Sequence, residues 1–171
     1  VQGMQSMMHL TALIGAAMIC SLASAGEWET DFEKAQRLAR ATDRYLLVDF
    51  TGSDWCPWCI KLESRVFSTS AFRTFAATNF VRVMVDFPRR KQLPRQEQKR
   101  NQALLERYGV SGLPTVLVMS ADGTVIGRTG YRDASAEEYI RSLEGILQRH
   151  RASARTSRAV SRPSRKPPRD A

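Results

Sequence analysis

The chain has 171 residues, 43% hydrophobic and 25% charged, the balance of one globular domain with appendages, and this excludes wholesale disorder. Three cysteines are too few for a disulfide scaffold, and two histidines are too few for most metal cages. The net charge of +9 suggests a nucleic-acid binder, but the last 21 residues hold seven Lys/Arg against one Asp, while residues 26–150 carry only +3. The basicity belongs to the tail.

Residues 1–25 contain no Asp, Glu, Lys or Arg. The run Leu10 to Ala25 spans 16 residues, short of the roughly 20 that a transmembrane helix needs. It ends in Ala23-Ser24-Ala25, the small-x-small pattern of signal-peptide cleavage. Residues 1–25 are therefore read as a cleaved secretory signal, with an uncleaved membrane anchor as the alternative. No basic residue precedes the apolar run, so translation is expected to begin at Met4, Met7 or Met8, or else upstream of Val1. Cys20 would leave with the signal, and a secreted or periplasmic protein would keep only Cys56 and Cys59.

Phe32, Ala35, Leu38 and Ala39 recur at helical spacing, with Thr30 or Asp31 as N-cap. Tyr45 to Phe50, bounded by Gly52, suits a strand buried on both faces. A Cys-rich turn leads into a helical stretch through Ile60, Leu62 and Val66, and Phe72, Phe75 and Ala76 predict another short helix. Phe80 to Val85 alternates as a strand. Residues 88–100 hold six Lys/Arg and one Glu, punctuated by proline, and read as a solvated loop. A helix over Asn101 to Tyr108 stops at Gly109 in the C′ position. Strands from Thr115 and Thr124 flank Asp122-Gly123, a strong hairpin signal. Ser135 and Glu138 form a capping box for a last helix that buries Tyr139, Ile140, Leu143, Ile146 and Leu147. Residues 151–171 lack aromatics, have Val160 as their one large aliphatic, and are expected to be a disordered basic tail. The order of elements implies an α/β domain over residues 26–150, a mixed central sheet with helices on both faces.

The chemistry lies where the first strand hands over to a helix, at Trp55-Cys56-Pro57-Trp58-Cys59. Cysteines three apart at a helix start share one side. Pro57 suits the first helical position, which makes Cys56 the N-cap. Its sulfur would accept from the free N–H groups of Trp58 and Cys59 at the positive helix end. That favours thiolate, so Cys56 is the expected nucleophile and Cys59 the buried resolving thiol. A zinc site needs two more ligands, and only His9 in the leader and His150 beside the tail are on offer. A structural disulfide is the other reading.

Val48-Asp49-Phe50, the Trp-Cys-Pro-Trp-Cys motif, Tyr108 through Thr115 (Tyr-Gly-Val-Ser-Gly-Leu-Pro-Thr) and the Asp122-Gly123 hairpin closely resemble the thioredoxin superfamily in order and spacing, over roughly residues 28–148. The nearest likeness is to secreted bacterial thioredoxin-like domains. The resemblance implies a thioredoxin-like fold and a secreted thiol–disulfide oxidoreductase that exchanges disulfides with partner proteins, without cofactor or metal. It implies that Pro114 is cis and faces the cysteines, that the Leu113 backbone pairs with an extended substrate, and that Asp49 is a buried carboxylate beneath Cys59, its proton acceptor. A strand-end Asp49 turned to solvent is the plain alternative. Trp55, Pro57 and Trp58 are read as a rim that meets the partner, with simple packing the other reading for each tryptophan. Two departures stand out: one residue more between Asp49 and Cys56 than in ordinary thioredoxins, and Pro-Trp between the cysteines rather than Gly-Pro. Expected partners are protein thiols and disulfides and, for a reductase, a membrane electron donor. No specific nucleic acid is expected, and the protein is expected to be a monomer. The competing functional reading is a redox-linked peptide-binding module that the basic tail tethers to anionic envelope polymer.

Overall fold

The structure is a computed structural model and describes residues 27–160. The leader with Cys20 and the segment 161–171 lie outside the described residues. In chain order the elements are α1 (Phe32–Ala41), β1 (Tyr45–Thr51), α2 (Pro57–Leu62) running into a π-helical turn (Glu63–Phe67), α3 (Ser70–Asn79), β2 (Phe80–Asp86), α4 (Arg95–Arg107), β3 (Thr115–Met119), β4 (Val125–Gly130) and α5 (Ala136–Val160). The sheet order is β2-β1-β3-β4, with β1 and β2 parallel and the other pairs antiparallel.

The alternation of a strand decides what lies on each face. Leu46, Val48 and Phe50 point to the face covered by α1 and α4, where they pack with Phe32, Ala35, Val83 and Met119. Leu47 points to the opposite face, against Leu62, Phe67, Phe72, Tyr139 and Leu143 of the helices on that side. Asp49 is two residues beyond Leu47, so β1 presents it to the face that α2 covers.

Local signals place the helix ends. Asp31 accepts from the Lys34 N–H at 2.8 Å and caps α1. Ser135 and Glu138 make the reciprocal capping box of α5, at 3.2 and 2.9 Å. Gly109, at φ 58°, follows the end of α4, and Gly123, at φ 91°, turns the β3–β4 hairpin.

Two expectations are corrected. The basic segment 88–100 is loop only to Pro94, because α4 starts at Arg95. Gln, Lys and Arg are good helix formers, and Asn101, 1% exposed, anchors this turn by donating to the Asp86 carbonyl at 2.9 Å. The last helix continues to Val160, ten residues past His150, so residues 151–160 are not disordered. Propagation adds one hydrogen bond for each residue fixed once a helix is nucleated, and Ala and Arg favour it without any core. The Tyr45 ring also packs edge-on to His150 at 5.7 Å, and the Arg151 guanidinium lies 5.5 Å from the same ring.

Candidate active site

Cys56 is the N-cap of α2, with φ −80° and ψ 110°, and Pro57 opens the helix. The Cys59 N–H donates to the Cys56 sulfur at 3.3 Å, so the sulfur sits at the positive end of the helix. Of the two N–H groups expected to cap it, Cys59 supplies the bond shown. Cys56 and Cys59 are joined in a disulfide, and the Gly52 N–H donates to the Cys59 sulfur at 3.5 Å. Both cysteines are covered, 4% and 3% exposed, so they differ in hydrogen bonding and position rather than in burial.

The Leu113–Pro114 peptide bond is cis, and the Leu113 carbonyl oxygen lies 3.8 Å from the Cys56 sulfur. Leu113 and Pro114 are half-buried, which leaves this edge accessible beside the disulfide. Gly130 allows the approach: a Cβ there would stand 2.7 Å from the Pro114 carbonyl oxygen, a backbone atom that cannot swing away.

Asp49 is buried, not turned to solvent, and its Oδ1 has no hydrogen-bond partner among the described residues. Burial, then the charges of Glu63 and Asp86, pushes its carboxyl up to about 8. It is therefore a protonated acid over much of the neutral range.

The tryptophans play different parts. Trp58 is 51% exposed, its ring 5.0 Å from that of Tyr131, with the Lys61 ammonium 4.7 Å from its centre. With exposed Pro57 and Ile60 it forms an apolar rim around the disulfide. Trp55 is packed instead. Its Nε1–H donates to the Phe87 carbonyl at 2.7 Å, and the Arg89 guanidinium stacks 3.6 Å from its ring centre. Gly52 accommodates it, since a Cβ at that position would lie 2.7 Å from the indole. The Gly52 carbonyl also accepts from the Trp55 and Cys56 N–H groups, at 3.2 and 2.9 Å. The extra loop residue thus folds into a turn that delivers Cys56 to the helix start.

Sequence reasoning missed Gly52, Asp54, Gly130 and Tyr131. Asp54 caps the backbone N–H groups of Arg89, Arg90 and Lys91, at 2.9, 2.7 and 3.1 Å, and these bonds hold its carboxyl below the usual range. A short acidic side chain in a turn is a capping signal, but its three donors lie 35 or more residues away. Among the described residues no group of three or more His, Cys, Asp or Glu is placed to hold a metal ion.

A family model described as a thioredoxin-like domain matches residues 32–146. The chain is 30% identical over 122 residues to the disulfide bond reductase DsbH of Chlamydia pneumoniae, an alignment covering 71% of this chain and 73% of that one. A solved structure of a DsbH oxidoreductase superposes with a TM-score of 0.69 at 29% identity, covering 84% of this chain and 95% of the other. A thioredoxin from Thermus thermophilus, 23% identical, superposes with a TM-score of 0.56 over 72% of this chain and 88% of its own, a likeness of fold.

Proposed function

Because the chain belongs to the thioredoxin-like domain family and is a thiol–disulfide oxidoreductase, we propose that it exchanges disulfides with partner proteins through Cys56-Pro57-Trp58-Cys59, with Cys56 as nucleophile. The observation that carries this reading is the Cys56 sulfur at the N-terminus of α2, hydrogen-bonded by the Cys59 N–H at 3.3 Å and facing the Leu113 carbonyl at 3.8 Å. A thiolate is stabilised there by the same N–H group and helix dipole.

In the reducing direction the Cys56 thiolate attacks one sulfur of the partner disulfide, forms a mixed disulfide and releases the other sulfur as a thiolate. Cys59 then loses its proton and attacks the Cys56 sulfur. This forms the Cys56–Cys59 bond and releases the partner's second sulfur as thiolate, leaving the partner reduced by two electrons. Asp49 is the proposed acceptor of the Cys59 proton. A carboxyl pushed up to about 8 accepts that proton in its ionised fraction and holds it more firmly than an ordinary aspartate would, and in the oxidising direction its protonated form can return the proton to the leaving Cys59 thiolate. Leu113 and Pro114 offer backbone to an extended partner, and Trp58 and Pro57 offer apolar contact. The apolar leader supports a secreted or periplasmic setting, and with Cys20 the one cysteine of this sequence outside the redox pair, a reductase there needs an external electron donor.

The test is a pair of variants incubated with a reducible protein disulfide. Cys59→Ser should accumulate a Cys56 mixed disulfide visible by mass spectrometry, while Cys56→Ser should show no exchange. Trapping by Cys56→Ser, with no exchange in Cys59→Ser, would reverse the roles. In Cys59→Ala, ultraviolet titration of the Cys56 thiolate should give a pKa below the free value of about 8.5 and well above the extreme of about 3.5.

A further inference from the structure

Four of the five cations of residues 89–99 line a groove between the 86–93 loop and α4, whose walls include Phe87, Arg89, Lys91, Leu93, Arg95 and Lys99. Two of its lining residues, Asp86 and Glu106, carry carboxylates, and Asp86 is engaged by Lys91 at 2.9 Å and by the Ser53 hydroxyl at 2.7 Å. Among the described residues Arg95 and Lys99 have no carboxylate partner, and Arg89 is held by the Trp55 ring rather than by an acid.

This groove is fastened to the redox centre. Ser53 binds Asp86 through both its N–H and its hydroxyl, Asp54 caps residues 89–91, and Trp55 holds the Phe87 carbonyl. These are the three residues immediately before Cys56. The groove also lies at the carboxyl ends of the parallel pair β1 and β2, where Thr51 pairs with Asp86. Crevices at that end of α/β sheets are where ligands are bound.

We propose that the groove docks an acidic segment of the disulfide-bearing partner and so presents its disulfide to Cys56. The inference rests on the exchange reading above. A protein chain fits better than a nucleic acid, because whatever occupies the groove lies beside a centre that reacts with sulfur. Phe87 and Leu93 supply apolar contact between the cations, which suits side chains more than a phosphate backbone.

The experiment uses the full chain and three peptides that carry one disulfide flanked by acidic, neutral or basic residues. At low ionic strength kcat/KM should favour the acidic over the neutral peptide by about tenfold, as steering by a charged cleft allows, and the ratio should shrink as salt is added. The double variant Arg95→Glu/Lys99→Glu should bring the acidic-to-neutral ratio to about one, an internal ratio that tolerates a general loss of activity. Equal rates on the acidic and neutral peptides overturn the proposal. So does a preference that survives the double variant, because the responsible charge then lies elsewhere. A cysteine-free acidic peptide, followed by fluorescence anisotropy, separates this failure from failure of the exchange reading. Charge-dependent binding without turnover of any peptide refutes exchange alone, whereas neither binding nor charge-dependent turnover refutes the groove. Tighter binding of an RNA oligonucleotide than of the acidic peptide, abolished by the double variant, overturns the choice of a protein occupant.

Discussion

Asp49 reaches the space behind the disulfide because β1 alternates, and its raised ionisation follows from burial without a hydrogen-bond partner on Oδ1. In the unfolded chain an Asp ionises at about pH 4, whereas here it holds its proton up to about 8. The folded state therefore binds more protons throughout that window. The stability linked to Asp49 is fully present below the lower value and is lost as pH rises through the upper one. Relative to Asp49→Asn, the wild type should lose on the order of 1 kcal/mol per pH unit across that window. Urea unfolding of both oxidised proteins at several pH values measures this, and parallel curves would show that Asp49 titrates normally. The same variant should slow release of the mixed disulfide, since Cys59 would lose its proton acceptor.

At the scale of elements, the site depends on how closely β4 and the β3 entry approach α2 and α5. Gly130 pairs with Thr115 and lies against the Pro114 carbonyl, so Gly130→Ala must move the Leu113–Pro114 edge or β4 itself. It should cost about 1–3 kcal/mol and also lower the exchange rate, because the displaced edge is the one facing Cys56. Full activity with an unchanged melting temperature would contradict the close approach. In α5, residues 151–157 are all exposed, whereas His150 and Arg151 touch Tyr45. Ending the chain after Arg151 should therefore shift the melting temperature by less than about 2 °C, while ending it after Leu147 should lower it further.

Over the whole molecule, charge and redox chemistry are set apart. The last 21 residues carry +6, on the end of α5, where residues 151–157 are exposed, and on the segment beyond it. Heparin retention at low salt should fall sharply for the chain ended after Arg151, while reduction of a neutral disulfide stays unchanged. Retention equal to that of the full chain would move the polyanion-binding charge to the groove beside α4. For the pair itself, a thiolate stabilised by one N–H and the helix end, with Trp58 adding no charge, should give a potential between about −270 and −120 mV. Equilibration against glutathione measures it.

Whatever follows from neighbours in the chain was legible in the sequence. Pro57 at the first helical position fixes Cys56 as a cap, Ser135 and Glu138 cap α5, Asp122-Gly123 turns the hairpin, and the strand period sorts Leu46 from Leu47. The motifs in register with the thioredoxin superfamily supplied Pro114 and Asp49 as parts of the site, which spacing alone does not reveal. Only the tertiary structure decided that Trp55 is packed while Trp58 is exposed, that Asp54 ties the 89–91 backbone to the redox turn, and that Gly52 and Gly130 are clearances for an indole and a carbonyl. It also decided that the basic stretch is half helix and that the tail begins as helix. The two helix extents follow from local propensity and propagation, which a reading weighted to apolar periodicity overlooks, whereas the other features share one physical reason. Burial, clearance and long-range capping depend on groups tens of residues apart, and composition or period within a local window carries no information about which of those groups will meet.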